Sequence, residues 1–546
     1  MSVIITKNVT MSCPKVPLGW RSRSYQATPC MHFNSATIKC RISTIPNRTR
    51  KADQKPKSLE ELRECMRKEL VSSSSPTTTL KLIDSIQRIG VGYHLEEEIN
   101  TILEKSMEWN AGEDLFSTAL RFRLLRHNGF PAQSDVFRKF MNKDGKFKES
   151  LRKEASGMVS LHEASYLGTV DEDELVEAME FTRSCIGLDV PRHLRMPRLE
   201  ARNYIHHYSL QTNNNITLKE LAILDYNHVQ SLHRNELDEI VRWWKQLGLV
   251  EKLGFGRDRP LECYLWTVGI FPEPYNSICR IELTKTIAIL LVIDDIFDTY
   301  GSLPDLILFT DAIRRWDLNA MESLPEYMKI CYMALYNTTN DIAYIILKQH
   351  GFTIVSHLKK TWIDMFEAFL VEAKWFNNGY VATLEEYLHN GVTTGGTYMA
   401  LVHSFFLMGR GLTHQTAAMM QPYPPLFSFS GRILRLWDDL GTAREEQERG
   451  GDVASSIECL MREKNISNEE EGRKQVRQVI RSLWRELNGE VMGGSAMPLS
   501  IKNASLNLAR TAQVIYQHAD DNNGSSVDDQ VQKLIYRPIP LLMPRN

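Results

Sequence analysis

Two acidic clusters about 140 residues apart contain the side chains of this chain that are best suited to chemistry. The first, residues 294–298, reads DDIFD, and the second, residues 438–446, reads DDLGTAREE. Each lies in or beside an apolar run that suits a helix, where buried carboxylates without a cation would be costly. Magnesium prefers oxygen ligands and bridges carboxylates to phosphates. The clusters therefore predict magnesium ions that hold a diphosphate between them.

The first cluster follows directly from the apolar run of residues 287–293. On a continuous α-helix, Asp294 and Asp298 lie about one turn apart on the same face. Asp295 points roughly 100° away from Asp294 on such a helix. We therefore predict Asp294 and Asp298 as the pair of ligands in this cluster.

The second cluster has oxygen-bearing side chains spaced at i, i+4 and i+8. Asp438, Thr442 and Glu446 would form one stripe along a helix, with a rise of roughly 6 Å per step. Arg435 lies three positions before Asp438 and is predicted to face the same site. Arginine is a permanently charged fork that matches phosphate oxygens, so this stripe combines metal ligands with a phosphate donor.

The elements that must position these residues are helices. From Ser58 onward the apolar residues follow helical periodicity, and no alternating strand pattern appears; Leu80, Ile83, Ile86 and Ile89, for example, recur at threes. We predict an all-α protein. A chain of 546 residues that is 43% hydrophobic is long enough for more than one domain.

The polar stretch of residues 209–215 lacks apolar periodicity and is the predicted linker between two helical domains. We assign residues 53–212 to an N-terminal helical domain and residues 213–546 to a C-terminal metal-binding domain. Because both acidic clusters follow the linker, the C-terminal domain is predicted to be the catalytic one.

Composition excludes some classes of partner. A net charge of −2 gives no reason to expect nucleic acid as a partner. The uncharged stretch of residues 388–409 contains histidines and small polar residues, so no integral membrane segment is predicted. The sequence leaves the oligomeric state open.

The first 52 residues have the composition of an organelle transit peptide. They contain no Asp or Glu, and Lys and Arg are spread among many Ser and Thr, without the continuous apolar core of a secretory signal. We predict a transit peptide over residues 1–52 and a plastid address, with the mitochondrion as the second choice.

Together these motifs resemble those of plant class I terpene synthases. Residues 294–298 match the family's DDxxD motif, residues 438–446 match its second metal motif, (N/D)Dxx(S/T)xxxE, and the similarity covers nearly all of the chain after about residue 55. The resemblance implies an N-terminal helical barrel without its own active site and a C-terminal class I terpenoid synthase fold. It also implies Mg²⁺, or Mn²⁺ in its place, as the cofactor and a prenyl diphosphate as the substrate.

The resemblance extends to the predicted site. Arg257-Asp258-Arg259, some 35 residues before the first acidic cluster, matches the family's RxR pair, and Trp266 is a candidate for the aromatic wall that shields a carbocation. The predicted metal ligands are Asp294, Asp298, Asp438, Thr442 and Glu446. The residues predicted to bind substrate are Arg257, Arg259, Asp294, Asp298, Arg435, Asp438 and Trp266, of which Asp294, Asp298, Arg257 and Arg435 are predicted to be catalytic.

One departure from the family bears on the product. Many monoterpene cyclases carry an RRx8W motif after the transit peptide, but here no Trp follows residues 48–51 until Trp109. This resembles the subgroup that makes acyclic alcohols, and we predict ionisation of geranyl diphosphate to an alcohol such as linalool. The alternatives are a cyclic monoterpene or nerolidol from farnesyl diphosphate.

Two further alternatives belong to other classes of protein. Prenyl chain elongation would need a second DDxxD motif, in place of which the stretch from Asp438 carries Thr442 and Glu446. An inactive binder of isoprenoid diphosphates stays open because residues 449–452 contain one Gly more than the common family pattern.

Overall fold

Helices form nearly all of the regular structure. The structure is a computed structural model that describes residues 58–73, 75–109, 114–183, 190–211, 214–449, 454–520 and 527–540, with the backbone alone for residues 444–449 and 518–520. Within these ranges there is one isolated antiparallel bridge, between Met141 and Phe147. The predicted transit peptide and residues 450–453, which include the additional Gly, lie outside the described residues.

Twenty-two α-helices follow one another along the described part of the chain. The first eight are α1 (Leu59–Ser72), α2 (Pro76–Arg88), α3 (Glu96–Ser106), α4 (Leu115–His127), α5 (Ala155–Ser165), α6 (Asp173–Arg183), α7 (Pro197–Leu210) and α8 (Ile216–Leu247). The next seven are α9 (Leu249–Leu253), α10 (Pro260–Ile270), α11 (Ser277–Asp295), α12 (Leu303–Arg315), α13 (Glu326–His350), α14 (Val355–Asn378) and α15 (Leu384–Thr394). The last seven are α16 (Thr397–Met408), α17 (His414–Ala418), α18 (Pro425–Arg449), α19 (Ser456–Glu463), α20 (Glu469–Met492), α21 (Leu499–Asp520) and α22 (Val527–Val531).

The N-terminal helices enclose a core that the apolar spacing predicts. Leu80, Ile83 and Ile86 on α2, and Ile89 just after it, are all buried, together with apolar residues of α1, α3 and α4. The first half of α8 contributes to the same core through residues such as Leu218 and Tyr226. These observations confirm the all-α class.

Helix α8 also contacts the catalytic half of the chain. It packs against α1 and α7 and also against α10 and α11. The break between α7 and α8 falls within the predicted linker, and residues Leu59–Asn546 belong to one compact unit. The domain boundary between residues 212 and 213 stays a prediction.

A buried ionic network fixes α8, α10 and α11 to one another. Glu236 on α8 accepts two hydrogen bonds of 2.7 Å from the guanidinium of Arg280 on α11. It also accepts a hydrogen bond of 2.6 Å from the Tyr264 hydroxyl on α10. A buried pair of charges with this bidentate geometry satisfies both partners, and it holds the helices that carry the first acidic cluster and Trp266.

The helices of the catalytic half are apolar on most faces. Residues 287–293 of α11 are all buried, as expected for a helix surrounded by other helices. Helix α18 packs most extensively against α21 and also contacts α15, α16 and α20. No helix in the described ranges has both the length and the apolarity needed to cross a bilayer.

Candidate active site

The first acidic cluster lies where α11 changes its helical geometry. The α-helix ends at Asp295, and Ile296–Tyr300 form a π-helical turn. Asp294 is buried, whereas Asp298 is exposed. The expectation of a continuous α-helix through both residues is therefore wrong, because the wider turn shifts Asp298 from the i+4 position of an α-helix.

Arg257 brings the loop before α10 onto this cluster. Its Nη2 lies 2.5 Å from Oδ2 of Asp294, and its Nε lies 2.7 Å from Oδ1 of Asp295. Its backbone N–H also donates to Asp295, at 3.1 Å. Burial alone would lower the pKa of Arg257, but the two carboxylates reverse this and raise it. One guanidinium thus holds both adjacent aspartates.

Asp295 also belongs to this site, although the argument from helical geometry did not select it as a ligand. Burial raises the pKa of Asp295, and the neighbouring Arg257 opposes that rise. Its position inside the DDxxD motif was a signal, but a regular helix turns its side chain away from Asp294. In the structure both carboxylates reach Arg257 because the arginine approaches between them.

Arg259 lies two residues beyond Arg257, at the N-cap position of α10. It is half-buried, and its charge opposes the rise that burial causes in the pKa of Glu262. Between the two arginines, Asp258 accepts a hydrogen bond of 2.9 Å from the Trp244 indole. Asp258 therefore contacts α8, whereas the neighbouring Arg257 contacts the first acidic cluster.

The second cluster is buried on α18. Asp438, Asp439 and Thr442 are each at most 1% exposed. Arg435 places Nη1 3.4 Å from Oδ2 of Asp438 and Nε 3.3 Å from Oδ1 of Asp439. Burial would lower the pKa of Arg435, but Tyr387, Asp439 and Asp438 together raise it well above its usual value. The predicted placement of Arg435 beside this cluster agrees with the structure.

Thr442 follows Asp438 by one turn, as the i, i+4 spacing predicts. Its hydroxyl donates to the Asp438 carbonyl at 2.8 Å, which leaves the oxygen lone pairs as acceptors or ligands. Glu446 lies one turn further along α18, but its side chain is outside the described residues. The backbone therefore supports the stripe as far as Thr442.

Tyr387 is a further residue of the site that sequence reasoning missed. From α15, its hydroxyl accepts a hydrogen bond from Nε of Arg435 at 2.7 Å and donates one to Oδ1 of Asp439 at 2.8 Å. Asp439 also accepts the backbone N–H of Ser456, at the start of α19, at 2.9 Å. Nothing in the sequence near Tyr387 signals this role, because the contact joins residues 48 positions apart.

A small apolar cavity, with a volume of about 10 Å³, lies one helical turn away from both clusters. Its lining includes Leu290, four residues before Asp294, and Leu434, four residues before Asp438. Residues at i and i+4 share a helix face, so each aspartate continues a face that lines the cavity. Trp266 is also part of the lining, is buried, and packs against Tyr516 with ring centroids 6.0 Å apart.

The break between α15 and α16 completes the cavity wall. Gly395 and Gly396 both line it. Gly396 has φ of +76°, and a Cβ there would lie 2.9 Å from Cδ2 of Leu290. The glycine pair therefore permits a tight turn and a close approach to α11.

The donors present suit magnesium. Carboxylates and a hydroxyl are hard oxygen ligands. The described residues contain no preassembled group of three or more His, Cys, Asp or Glu side chains that could hold a metal. Instead, the carboxylates of each cluster lie beside an arginine, and each arginine has the fork geometry that binds phosphate oxygens. The arrangement can thus bind cations and a polyanion next to the apolar residues that line the small cavity.

Comparison with known proteins agrees with this chemistry. A model of the terpene synthase family, metal binding domain, matches residues 245–486, and a model of the terpene synthase N-terminal domain matches residues 33–205. A probable terpene synthase 11 of Ricinus communis is 72% identical, over 99% of this chain and 98% of the relative. The chain belongs to the terpene synthase family. It is therefore a lyase that acts on prenyl diphosphates, and the metal-binding domain contains both acidic clusters.

Two relatives with named products are monoterpene synthases. A chloroplastic geraniol synthase of Ocimum basilicum is 55% identical, over 87% of this terpene synthase and 86% of the relative. A chloroplastic R-linalool synthase of the same species is 52% identical, over 88% and 86%.

Solved structures show the same class I terpenoid synthase fold. Isoprene synthase from grey poplar leaves, solved with three Mg²⁺ ions and dimethylallyl-S-thiolodiphosphate, is 36% identical with a TM-score of 0.83, over 89% of this chain and 97% of that one. Limonene synthase with 2-fluorolinalyl diphosphate is also 36% identical, with a TM-score of 0.84, over 88% and 94%.

Proposed function

We propose that this terpene synthase converts geranyl diphosphate to an acyclic monoterpene alcohol such as linalool, with release of diphosphate. The observation that supports this most directly is the position of the two arginine-bound acidic clusters. Each lies one turn beyond a leucine that lines the apolar cavity. A charged group bound at the clusters would therefore have its hydrocarbon chain beside the cavity.

We assign the charged residues to two tasks. Arg257, Arg259 and Arg435 hold the diphosphate, since guanidinium groups donate in pairs to phosphate oxygens. The ligands proposed for Mg²⁺, or for Mn²⁺ in its place, are Asp294, Asp298, Asp438, Thr442 and Glu446. Asp295 and Asp439 contact the arginines, so we assign them to positioning the guanidinium groups.

The reaction begins with heterolysis of the allylic carbon–oxygen bond, whose electron pair leaves with the diphosphate. Magnesium ions, when bound, would supply Lewis acidity toward the charge that develops on that leaving group. The arginines bind the diphosphate oxygens, and the Trp266 ring offers a π face to the allylic cation. The apolar wall limits access of bulk water. One water then adds to the cation and loses a proton, which gives the alcohol.

The acyclic product is supported by two independent observations. The RRx8W motif associated with cyclisation is missing, since no Trp follows residues 48–51 until Trp109. Of the three relatives described above that are more than half identical, two are named for a product, and these products are geraniol and linalool, both acyclic alcohols.

Product analysis tests this proposal. The full chain would be incubated with Mg²⁺ and, separately, geranyl or farnesyl diphosphate, and the products separated by gas chromatography with mass spectrometry. Linalool or geraniol as the main product from geranyl diphosphate is the expected result. A cyclic monoterpene, or nerolidol from farnesyl diphosphate alone, would overturn the product assignment. No volatile product from either substrate would favour the inactive binder.

Two variants would connect the product to the site. Asp438→Asn keeps the size of the side chain but removes the charge, and it should lose product formation. Asp311→Asn is the matched control, because Asp311 is on the surface of α12 and bonds to Arg314. Equal activity of the two variants would contradict the role given to Asp438.

We further propose that residues 1–52 direct the protein to the plastid. Their Lys- and Arg-rich, acid-free composition is typical of a transit peptide, and the geraniol and R-linalool synthases above are named chloroplastic. A fluorescent protein fused behind residues 1–52 should accumulate in plastids of leaf cells. Accumulation in mitochondria or in the cytosol would contradict this address.

A further inference from the structure

A second cavity, rich in charged side chains, lies between the N-terminal helices and the catalytic half. It has a volume of about 370 Å³ and is lined by parts of α2 and α4, by the segment around α7, and by the ends of α10 and α21. Its lining includes seven arginines and four carboxylates. Three of these arginines are buried, Arg123, Arg198 and Arg510. Arg198 has its Nη1 3.7 Å from Oδ2 of Asp225, which lies outside the lining. A buried positive charge is costly unless an anion compensates it.

Two of the carboxylates are each shared by two arginines. Glu200 lies 2.5 Å from Nε of Arg88 and 2.7 Å from Nη1 of Arg195. Asp84 lies 2.6 Å from Arg123 and 2.9 Å from Arg192. One carboxylate can neutralise only one of its two partners. The Nε of Arg192 is also 3.8 Å from Glu163, which is outside the cavity lining.

Arg510 is a buried arginine of this cavity whose hydrogen-bond acceptors are all uncharged. It is 6% exposed, and its guanidinium donates to the carbonyl oxygen of His193 at 2.6 Å, to Oδ1 of Asn507 at 2.7 Å and to Nδ1 of His193 at 3.3 Å. None of these acceptors is a carboxylate, and no described carboxylate forms an ion pair with it. Burial lowers the pKa of Arg510 to about 10, without an opposing negative charge.

The histidines beside Arg510 do not supply the missing charge. Burial lowers the pKa of His193 to about 3, and that of His127 lies well below its usual value. Both rings are therefore neutral near pH 7. His193 is held in place by Asn488, whose Oδ1 lies 2.8 Å from its Nε2, so its Nδ1 faces Arg510 as an acceptor. The Arg510 cation is oriented but not neutralised.

We propose that this cavity is a second binding site, for an oxyanion of the phosphate or diphosphate class, with Arg510 at its centre. Guanidinium groups bind such anions through paired hydrogen bonds. The arginines that share Asp84 and Glu200 provide further positive charge around the anion. The lining also contains apolar residues, such as Ile99 and Leu499, which a small organic group on the phosphate could contact.

This site adjoins the apolar cavity through a shared wall. Ile270 lines both cavities. Asn507, which accepts a hydrogen bond from Arg510, also donates to the Ile270 carbonyl at 3.1 Å. Leu508, the next residue, lines the apolar cavity. An anion bound to Arg510 would therefore be linked, through Asn507, to Ile270 in the wall of the apolar cavity.

Isothermal titration calorimetry of the full chain tests the proposal. Inorganic phosphate and inorganic diphosphate would be titrated separately without divalent cations, against sodium chloride of equal ionic strength. We expect saturable binding of at least one of them and binding at least tenfold weaker to Arg510→Gln. The relative affinity for the two anions identifies which member of the class the site prefers. Absence of saturable binding of either anion would overturn the proposal.

Three further variants make the result specific to this cavity. Arg314→Gln, on the exposed surface of α12, is the matched control and should bind as the wild type does. Arg257→Gln weakens the proposed catalytic diphosphate site, so saturable binding that persists in this variant belongs to the cavity. Loss of all saturable binding in Arg257→Gln would place the anion at the catalytic arginines and overturn the proposal. If Arg510→Gln fails to fold, Arg195→Gln decides, because that half-buried side chain shares Glu200 and should weaken binding at least threefold. Unchanged binding to Arg195→Gln would then refute the site.

Discussion

Replacing Tyr387 with Phe should lower kcat/KM for geranyl diphosphate about tenfold. The hydroxyl removed by this change lies between Arg435 and Asp439, at 2.7 and 2.8 Å. Phe keeps the ring and its packing, so the change is confined to the orientation of the arginine. Tyr387 is a positioning residue in this view, because it acts on the diphosphate only through Arg435.

The magnitude follows from the contacts that remain. A hydrogen bond to a charged group contributes about 1.5–3 kcal/mol, and two such bonds are lost. Arg435 keeps contacts of 3.4 and 3.3 Å to Asp438 and Asp439, and Asp439 keeps the N–H of Ser456. We therefore count one of the two bonds, at about 1.5 kcal/mol, as loss of transition-state binding. Each tenfold change in rate corresponds to about 1.4 kcal/mol.

Steady-state kinetics with product detection would measure the effect, with kcat and KM determined separately at saturating Mg²⁺. Tyr380→Phe is the matched control, since its hydroxyl bonds to Glu386 at the surface, at 3.1 Å. Thermal unfolding of both variants would show whether each is folded at the assay temperature. A value of kcat/KM for Tyr387→Phe within twofold of Tyr380→Phe would refute the positioning role.

Three other changes test separate features. Gly396→Ala should destabilise the protein by at least about 1 kcal/mol more than Gly379→Ala in urea unfolding. Both residues have positive φ, but only at Gly396 would a Cβ meet Leu290, at 2.9 Å. Equal losses of stability in the two variants would contradict the close approach. Burial lowers the pKa of His403 to about 4, so stability should fall as pH drops from about 6.5 towards 4, and His403→Leu should reduce the loss between pH 7 and pH 5 by about 2 kcal/mol. An unchanged pH dependence in urea unfolding would show that His403 is not responsible. Asp294→Ala should lower kcat at least about 10²-fold, and near-normal turnover in the product assay would exclude it from the metal site.

The sequence predicts the fold class because helical periodicity is a local property. Apolar residues at threes and fours define the buried face of a helix before its partners are known. Leu80, Ile83 and Ile86 are buried as that spacing requires. Which helices then pack together depends on side-chain shape across long sequence separations, and periodicity does not contain that information.

The candidate site could be predicted where the motifs carry the residues themselves. Arg435 lies beside Asp438, as the spacing of three residues predicts. The motif match singled out Arg257, and the structure places it against Asp294. The roles of both arginines in binding diphosphate stay predictions. The π-helical turn after Asp295 was not predictable from a spacing argument, because that argument assumes a regular α-helix. Tyr387 was missed for another reason, since one hydroxyl from a separate helix leaves no pattern along the chain.

The course of α8 has a consequence for how this enzyme could be recombined with its relatives. Its first half completes the N-terminal core through Leu218 and Tyr226, whereas Glu236 further along bonds to Arg280 and Tyr264. A chimera joined between residues 212 and 213 would take all of α8 from the parent that supplies the catalytic half. The N-terminal core, against which the first half of α8 packs, would come from the other parent. A crossover within α8, after Tyr226 and before Glu236, would keep each half of the helix with its native neighbours. Gene-shuffling libraries of these synthases should therefore yield more folded enzymes from junctions inside this helix than from the loop before it.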